Sequence, residues 1–168
     1  MRAILVDWLV DVHLKFKLAP ETLFLAVNLI DRFIERKIVP KERLQLLGST
    51  AMFVACKYEE IYPPELADFV FICDNLYSKQ EILANEGDLV GILDFSLSFS
   101  SPLRFLHRFA FLSGSTESHF FCAQYLLELT LGEYSMTNYT SSILAASALY
   151  LSNKIFDIST PWCEELSI

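Results

Sequence analysis

The sequence contains no apolar run long enough to cross a membrane. Its mean hydropathy is +0.36 and 53% of its residues are hydrophobic, but polar and charged residues interrupt the apolar ones throughout. A transmembrane helix needs about 20 consecutive, mostly apolar residues. The apolar side chains must therefore pack against one another or against a partner, and we expect no membrane association.

Basic residues are also scarce. The chain has 13 Lys and Arg against 21 Asp and Glu, which gives a formal net charge of −8 at pH 7. Proteins bind nucleic acids largely through Lys and Arg contacts to the phosphates. The composition thus argues against a nucleic-acid partner and favours a basic or neutral protein partner.

Cysteines are few and widely spaced. Cys56, Cys73, Cys122 and Cys163 include no CxxC pair, and the first and third fall inside apolar helical patterns. This usage is typical of reduced, intracellular thiols that serve as small core residues. No secretory signal peptide is visible, and the abrupt start in a helical pattern indicates a fragment that lacks its native N-terminus.

One segment, Leu44–Glu60, is apolar on all faces until its last turn. A helix of this kind is buried on all sides. The small residues at 48–50 predict that other helices cross it closely. Lys57 marks the point where it emerges into water, and Pro63-Pro64 ends it.

Four more helices are predicted in the first half of the chain from apolar spacing and capping signals. They cover Met1–Lys17, Glu21–Arg36, a short segment from Pro64 to Val70, and Lys79–Leu93. Ser78, with Glu81 three residues later, forms a predicted capping box for the last of them. Because no strand alternation persists, we predict an all-α protein.

A shift of 97 residues aligns the sequence with itself over four successive helices without gaps. Ala51–Lys57 then falls on Ala148–Lys154, and Pro64 falls on Pro161. Such self-similarity indicates a structural repeat. It predicts two tandem helical bundles, residues 1–97 and 98–168, each wrapped on its third helix.

We expect the second bundle to be truncated in its fourth helix. A complete copy of the first bundle would extend well beyond Ile168. We therefore expect part of the second central helix, near Leu149 and Leu151, to lack cover. Such an apolar surface would be an aggregation liability.

Three sequence strings resemble the cell-cycle cyclins, whose architecture is two five-helix boxes wrapped on their third helices. They are Met1–Val10 (MRAILVDWLV), Leu29–Phe33 (LIDRF) and Ala55–Glu65 (ACKYEEIYPPE). Further strings, Asp74–Tyr77 and Tyr125–Thr130 among them, are most similar to the mitotic B-type members.

The resemblance implies a non-catalytic regulatory subunit that binds and activates a cyclin-dependent serine/threonine kinase and controls G2/M progression. It also implies a location in the nucleus and cytoplasm. Lys57 and Glu86 match the family's pair that hydrogen-bonds the kinase near its mobile C helix; the simpler alternative is that Lys57 only neutralises a helix C-terminus. The surrounding apolar kinase contacts match Val54, Tyr58, Val90, Phe95 and Leu97.

The resemblance implies a second site, a shallow patch that docks Arg-x-Leu peptides of substrates or inhibitors. Its residues match Met1, Ile4, Leu5, Trp8, Asp11, Leu44 and Gln45. The peptide's Leu would enter the apolar groove while its cation meets Asp11. The alternative is that the apolar side chains of the first helix belong to the core.

Arg2 and Asp31 match a structural salt bridge between the first two helices of the family. Breaking a buried pair on one side costs about 3–5 kcal/mol, so we expect Asp31→Ala to unfold the first bundle. Asn85 and Gly87 flank Glu86 and depart from the apolar or helix-favouring residues usual in the family.

The sequence bears on three other functional classes. A DNA-gripping cyclin-box protein is disfavoured by the charge of −8 and by the lack of a basic helix face. An all-α enzyme or metalloprotein is disfavoured because His13, His107 and His119 are not spaced as metal ligands; we expect no metal and no cofactor. A degenerate interaction module that activates no kinase stays open as the alternative.

Overall fold

The structure is a computed structural model that describes residues 1–158 and residue 162. Within these residues the chain forms eight α-helices and no strand, which confirms the predicted all-α class. The chain divides into two compact units, Met1–Phe99 and Ser100–Ile168. In the described part, no helix combines the length and apolarity needed to cross a bilayer.

The first unit is built around one buried helix, α3. The helices of this unit are α1 (Arg2–Phe16), α2 (Pro20–Arg36), α3 (Leu44–Glu59), α4 (Leu66–Ile72) and α5 (Lys79–Ile92). The other four all pack against α3, and every residue from Leu46 to Cys56 is buried. The prediction that this helix, which has no polar face, is buried on all sides is therefore confirmed.

Gly48 allows α1 to cross α3 closely. A Cβ atom built at this position would lie 2.8 Å from Leu5 Cδ1 and 3.5 Å from Trp8 Cζ3. Any larger side chain would have to displace Leu5. The prediction of a close helix crossing at the small residues of α3 is confirmed.

Capping signals predicted the start of α5 correctly but not the start of α4. Ser78 caps α5 as predicted: its Oγ accepts from Glu81 N at 3.2 Å, and Glu81 Oε2 accepts from Ser78 N at 2.9 Å. The predicted start of α4 at Pro64 is wrong. That helix begins at Leu66, because Glu65 is its extended N-cap and donates its N–H to Asp68 Oδ2 at 2.8 Å.

The second unit repeats the order of the first. It contains α6 (Pro102–Leu112), α7 (Glu117–Gly132) and α8 (Ser141–Ile155). The helices α7 and α8 begin 97 residues after α2 and α3, as the repeat predicts. The predicted fourth helix at Pro161 lies outside the described residues.

The central helix of this unit, α8, has one covered and one open face. Ala145, Ala148, Leu149 and Ser152 are buried at helical spacing, and α8 packs on both α6 and α7. The expectation that Leu149 lacks cover is therefore wrong, because Leu149 lies on the face that meets those helices. Leu151 lies on the other face and is exposed.

Candidate functional site

The point where α3 reaches the surface brings two predicted site residues together. Buried positions run without interruption up to Cys56, and Lys57 is the first exposed residue. Its ammonium forms an ion pair with the Glu86 carboxylate of α5. The side chains of Lys57 and Glu86 are 43% and 18% exposed, so the pair stands at the rim of the first unit with its acidic member partly enclosed.

A ring beneath the ammonium fixes it further. The Lys57 Nζ atom lies 4.3 Å from the centre of the Phe53 ring, one turn earlier on α3. A cation over an aromatic face is attracted by the ring's quadrupole. The Lys57 ammonium thus contacts both the Phe53 ring of the core and the Glu86 carboxylate of α5.

The apolar residues predicted around the pair differ in exposure. Tyr58 and Phe95 are exposed, and Phe95 is 78% accessible. Val90 and Leu97 are half-buried. Val54 is only 3% exposed and belongs to the core of the first unit in this structure, because it lies on a face of α3 that other helices cover.

The neighbours of Glu86 on α5 differ in their surroundings. The Asn85 side chain is half-buried, and its Nδ2 atom has no hydrogen-bond partner among the described residues. A Cβ atom at Gly87 would meet nothing within 4 Å. Packing therefore does not require glycine at that position, and neither residue prevents Glu86 from reaching Lys57.

The predicted docking patch occupies the exposed side of α1 and the start of α3. Met1, Ile4 and Asp11 are exposed, with Ile4 at 73%. Leu5 and Trp8 are half-buried against Gly48. The remaining members, Leu44 and Gln45, are half-buried one turn before Gly48 on α3. The first unit therefore has an apolar surface on α1 that is not buried in its core.

Arg2 and Asp31 form an ion pair between α1 and α2. Their side chains are 20% and 33% exposed, so the pair is only partly removed from water. It ties the first turn of α1 to the C-terminal half of α2. It therefore also fixes the start of the helix that carries Met1 and Ile4.

Two family models match the chain along almost its whole length. The model described as "Cyclin, N-terminal domain" matches residues 1–98, and "Cyclin, C-terminal domain" matches residues 100–167. The chain belongs to the cyclin family.

Among described residues, no cluster of three or more His, Cys, Asp or Glu side chains could hold a metal ion.

The curated relatives of this cyclin include mitotic cyclins. It is 49% identical over 99% of its length to the G2/mitotic-specific cyclin-B of Arbacia punctulata, covering 41% of that protein. It is 46% identical over 94% of its length to the G2/mitotic-specific cyclin-B1 of Anguilla japonica, covering 39%. The chain therefore spans about two fifths of the length of these relatives.

Solved structures agree on the cyclin fold. A viral cyclin from herpesvirus saimiri matches with a TM-score of 0.85 at 17% identity, covering 94% of this chain and 70% of that one. A chain in the CAK complex of Chaetomium thermophilum matches with a TM-score of 0.64 at 21% identity, covering 91% of this chain and 53% of that one. At these identities the likeness concerns the fold alone.

Three cysteines of this cyclin, Cys56, Cys73 and Cys122, are free. Burial, with a smaller contribution from the Glu60 carboxylate, raises the pKa of the Cys56 thiol to about 12. Burial also raises the pKa of Cys73. Both thiols are therefore protonated and unreactive at neutral pH. Cys163 lies outside the described residues.

One element of this cyclin's site could not be found from local sequence patterns. The Glu60 carboxylate, just after α3, accepts hydrogen bonds from the backbone N–H of Ala19 at 2.8 Å and from the Thr22 hydroxyl at 2.5 Å. It caps α2, whose own N-cap residue, Ala19, has no polar side chain. The missing cap is the only local signal, and it does not identify the distant residue that supplies it.

Proposed function

We propose that this cyclin chain carries the kinase-binding surface of a regulatory subunit that binds and activates a cyclin-dependent protein kinase. The Lys57–Glu86 pair supports the proposal most directly, since Lys57 stands at the exposed end of the most deeply buried helix of the first unit and is followed by the exposed Tyr58. Similarity to G2/mitotic-specific cyclins of type B supports a role at that stage of the cell cycle.

The pair keeps hydrogen-bonding capacity for a partner. A lysine ammonium has three donors and a carboxylate has about four acceptor sites, and their mutual ion pair uses only part of these. Lys57 can therefore donate to carbonyl oxygens of the kinase while Glu86 accepts from its N–H groups. Tyr58 and Phe95 supply apolar contact on the same unit, and aromatic residues of this kind are typical anchors of protein interfaces.

Activation follows from differential binding rather than from chemistry. A protein kinase is active when its Lys–Glu ion pair and its metal site are assembled, which requires the C helix to be in place. A surface that fits only this arrangement shifts the population toward it. A shift from mostly inactive to mostly active requires about 5.5 kcal/mol of differential binding. Because α3 is buried along most of its length, we expect the surface at its end to be preformed and to fit one of the two states better.

The test is the affinity of this chain for a recombinant cyclin-dependent kinase, measured for the wild type, Lys57→Ala and Lys154→Ala. Lys154 is the repeat counterpart of Lys57 and likewise lies over a ring, that of Tyr150, at 5.7 Å. Loss of charge-assisted hydrogen bonds at Lys57 should weaken binding about 10- to 100-fold, whereas Lys154→Ala should bind like the wild type. Equal affinity of all three proteins would overturn the proposed surface.

Activation is tested separately, by phosphorylation of a histone-type substrate with and without the chain. Stimulation that falls in parallel with binding in Lys57→Ala supports the activator. Binding without stimulation would instead support the alternative, an interaction module of cyclin fold that does not activate the kinase.

We further propose that the patch on α1 docks Arg-x-Leu peptides. The exposure of Ile4 beside the half-buried Leu5 and Trp8 provides an apolar surface, and the exposed Asp11 provides a negative charge for the peptide's cation. Such docking raises the local concentration of a substrate at the kinase.

Peptide affinity, measured by fluorescence anisotropy, tests this docking. We expect Ile4→Ser and Asp11→Asn to weaken binding of an Arg-x-Leu peptide several-fold. The control is Leu14→Ser, which removes another exposed apolar side chain of α1 outside the patch. An equal loss in Leu14→Ser, or no loss in Ile4→Ser, would contradict the docking site.

A further inference from the structure

The turn that follows α5 holds two consecutive residues in a left-handed conformation. Asp94 has φ of 53° and Phe95 has φ of 57°. Residues other than glycine pay a steric cost there, which Asp and Asn tolerate best and bulky residues worst. Phe95 is therefore the unusual member of this turn.

The turn after α4 provides an internal comparison, because it has the same geometry with a tolerant residue. Asp74 and Asn75 have φ of 53° and 57°. The backbone hydrogen bonds also correspond: Asn75 N donates to Val70 O at 3.1 Å, and Phe95 N donates to Val90 O at 3.0 Å. The backbone thus accepts Asn at this position, and nothing in the turn requires a phenyl ring.

The Phe95 ring does not serve the core either. It is 78% exposed, so its burial within the first unit cannot repay the cost of the conformation. A strained backbone that persists at an exposed aromatic residue indicates a functional constraint. In the proposed function, that constraint is contact with the kinase.

Arg36, at the end of α2, clamps this turn. Its Nη1 atom donates to the carbonyl oxygen of Ile92, the last residue of α5, at 2.5 Å and lies 3.2 Å from Asp94 Oδ2. The last carbonyls of a helix have no partner within the helix and attract cations. Arg36 therefore satisfies the end of α5 and holds the residue that precedes Phe95.

We propose that Arg36 is a positioning residue: by tying the end of α5 and Asp94 to α2, it presents the Phe95 ring to the kinase in one orientation. The inference rests on the proposed function for its binding role. The clamp itself is independent of any partner and can be measured in the isolated chain.

Amide hydrogen exchange tests the clamp in the free protein. Arg36→Ala should accelerate exchange of the Phe95 and Ser96 amides, which donate to Val90 O and Leu93 O, by roughly 3- to 10-fold. The matched control is Lys37→Ala, whose side chain is equally exposed at 46% and pairs with Asp88 instead. Unchanged exchange in Arg36→Ala, or equal acceleration in Lys37→Ala, would overturn the clamp.

Kinase affinity tests the purpose of the clamp in a double-mutant cycle. Arg36→Ala should weaken kinase binding several-fold, and this loss should vanish when Phe95 is already Ala. A loss that persists in the Phe95→Ala background would show that Arg36 acts through something other than the ring. Absence of kinase binding by the wild type would overturn the proposed function, while hydrogen exchange would still decide whether Arg36 holds the turn.

A third variant separates conformation from contact. Phe95→Asn reproduces the Asp-Asn pair of the α4 turn, so it should protect the Ser96 amide more strongly than the wild type while weakening kinase binding. Reduced protection would contradict the strain at Phe95, and wild-type affinity would contradict its role as a contact.

Discussion

The Lys57 ammonium lies over the Phe53 ring at 4.3 Å from its centre. That ring belongs to a row that crosses the first unit: Phe53 meets Phe69 of α4 edge-on at 5.2 Å, and Phe69 meets Phe16 of α1 at 5.5 Å. The position of the exposed cation is thus set by side chains from three helices. A change inside the core can therefore alter the candidate kinase surface without touching it.

Replacement of Phe53 by Leu should loosen Lys57 while largely preserving the core. A cation–π contact at an exposed site contributes about 0.5–1 kcal/mol, so we expect kinase affinity to fall about two- to fivefold. Loss of the ring should also move the NMR signals of the Lys57 ε-methylene protons downfield, since an aromatic ring shields protons above its face.

The control for this variant is Phe69→Leu, which removes the next ring of the row but leaves Lys57 above Phe53. It should destabilise the unit to a similar degree without shifting the Lys57 signals. If Phe69→Leu lowers affinity as much as Phe53→Leu, general loosening of the core accounts for the effect.

Breaking the Arg2–Asp31 pair should destabilise the first unit less than a fully buried pair would. Arg2 and Asp31 are 20% and 33% exposed, which places the pair between the surface range of 0–1 kcal/mol and the buried range of 3–5 kcal/mol. We expect Asp31→Asn to cost about 1–3 kcal/mol in the free energy of unfolding, measured with urea. We therefore expect Asp31→Ala to lower the melting temperature without unfolding the first unit outright, in contrast to the expectation from the sequence.

The exposed pair Lys37–Asp88 is the natural comparison for this variant. The side chains of Lys37 and Asp88 are 46% and 59% exposed, so Asp88→Asn should change stability by less than about 0.5 kcal/mol. Equal costs for the two substitutions would mean that partial burial adds nothing to the Arg2–Asp31 pair.

Features encoded in short stretches of sequence could be predicted from the residues themselves, whereas a distant contact could be predicted only where the family resemblance supplied it, as for Arg2 and Asp31. The capping box at Ser78 joins residues three apart, and the burial of α3 follows from its uniform apolarity. The hydrogen bonds of Glu60 to Ala19 and of Arg36 to Ile92 join residues 41 and 56 positions apart. Only the packed first unit brings these partners together.

The sequence also did not show which face of a helix is buried when neighbouring helices cover only part of it. Val54 was predicted as a contact surface, yet it is 3% exposed in this structure. Leu149 was predicted to lack cover, yet it faces α6 and α7. In both cases the apolar character was clear from the sequence, but the side of the helix that its neighbours cover depends on the packing of the whole unit.

Glu60 should stabilise α2 as a cap supplied from outside the helix. Removal of a capping acceptor costs about 0.5–2 kcal/mol, so we expect a loss of about 1–2 kcal/mol in Glu60→Ala and less in Glu60→Gln, which keeps a side-chain oxygen. The control is Glu59→Ala, which removes the preceding carboxylate. If Glu59→Ala costs as much in urea unfolding as Glu60→Ala, overall charge rather than the cap is responsible.

The capping box at the start of α5 should make stability depend on pH. The backbone N–H of Ser78, then its hydroxyl, and to a lesser extent the Arg43 guanidinium at 3.7 Å, lower the pKa of the Glu81 carboxyl. A carboxyl whose pKa is lower in the folded than in the unfolded chain stabilises the fold fully above its ordinary pKa. That contribution disappears as the pH falls through the lowered value.

Comparison of the wild type with Glu81→Gln from about pH 7 to about pH 3 measures this contribution. The wild type should be the more stable protein at neutral pH, and the difference in unfolding free energy should shrink toward acid as the Glu81 carboxylate is protonated. Ser78→Ala removes the hydroxyl partner of the same carboxylate and should reduce the slope without abolishing it, because the backbone N–H still donates. A difference that stays constant across the range would show that Glu81 acts through helix propensity or packing, and not through its charge.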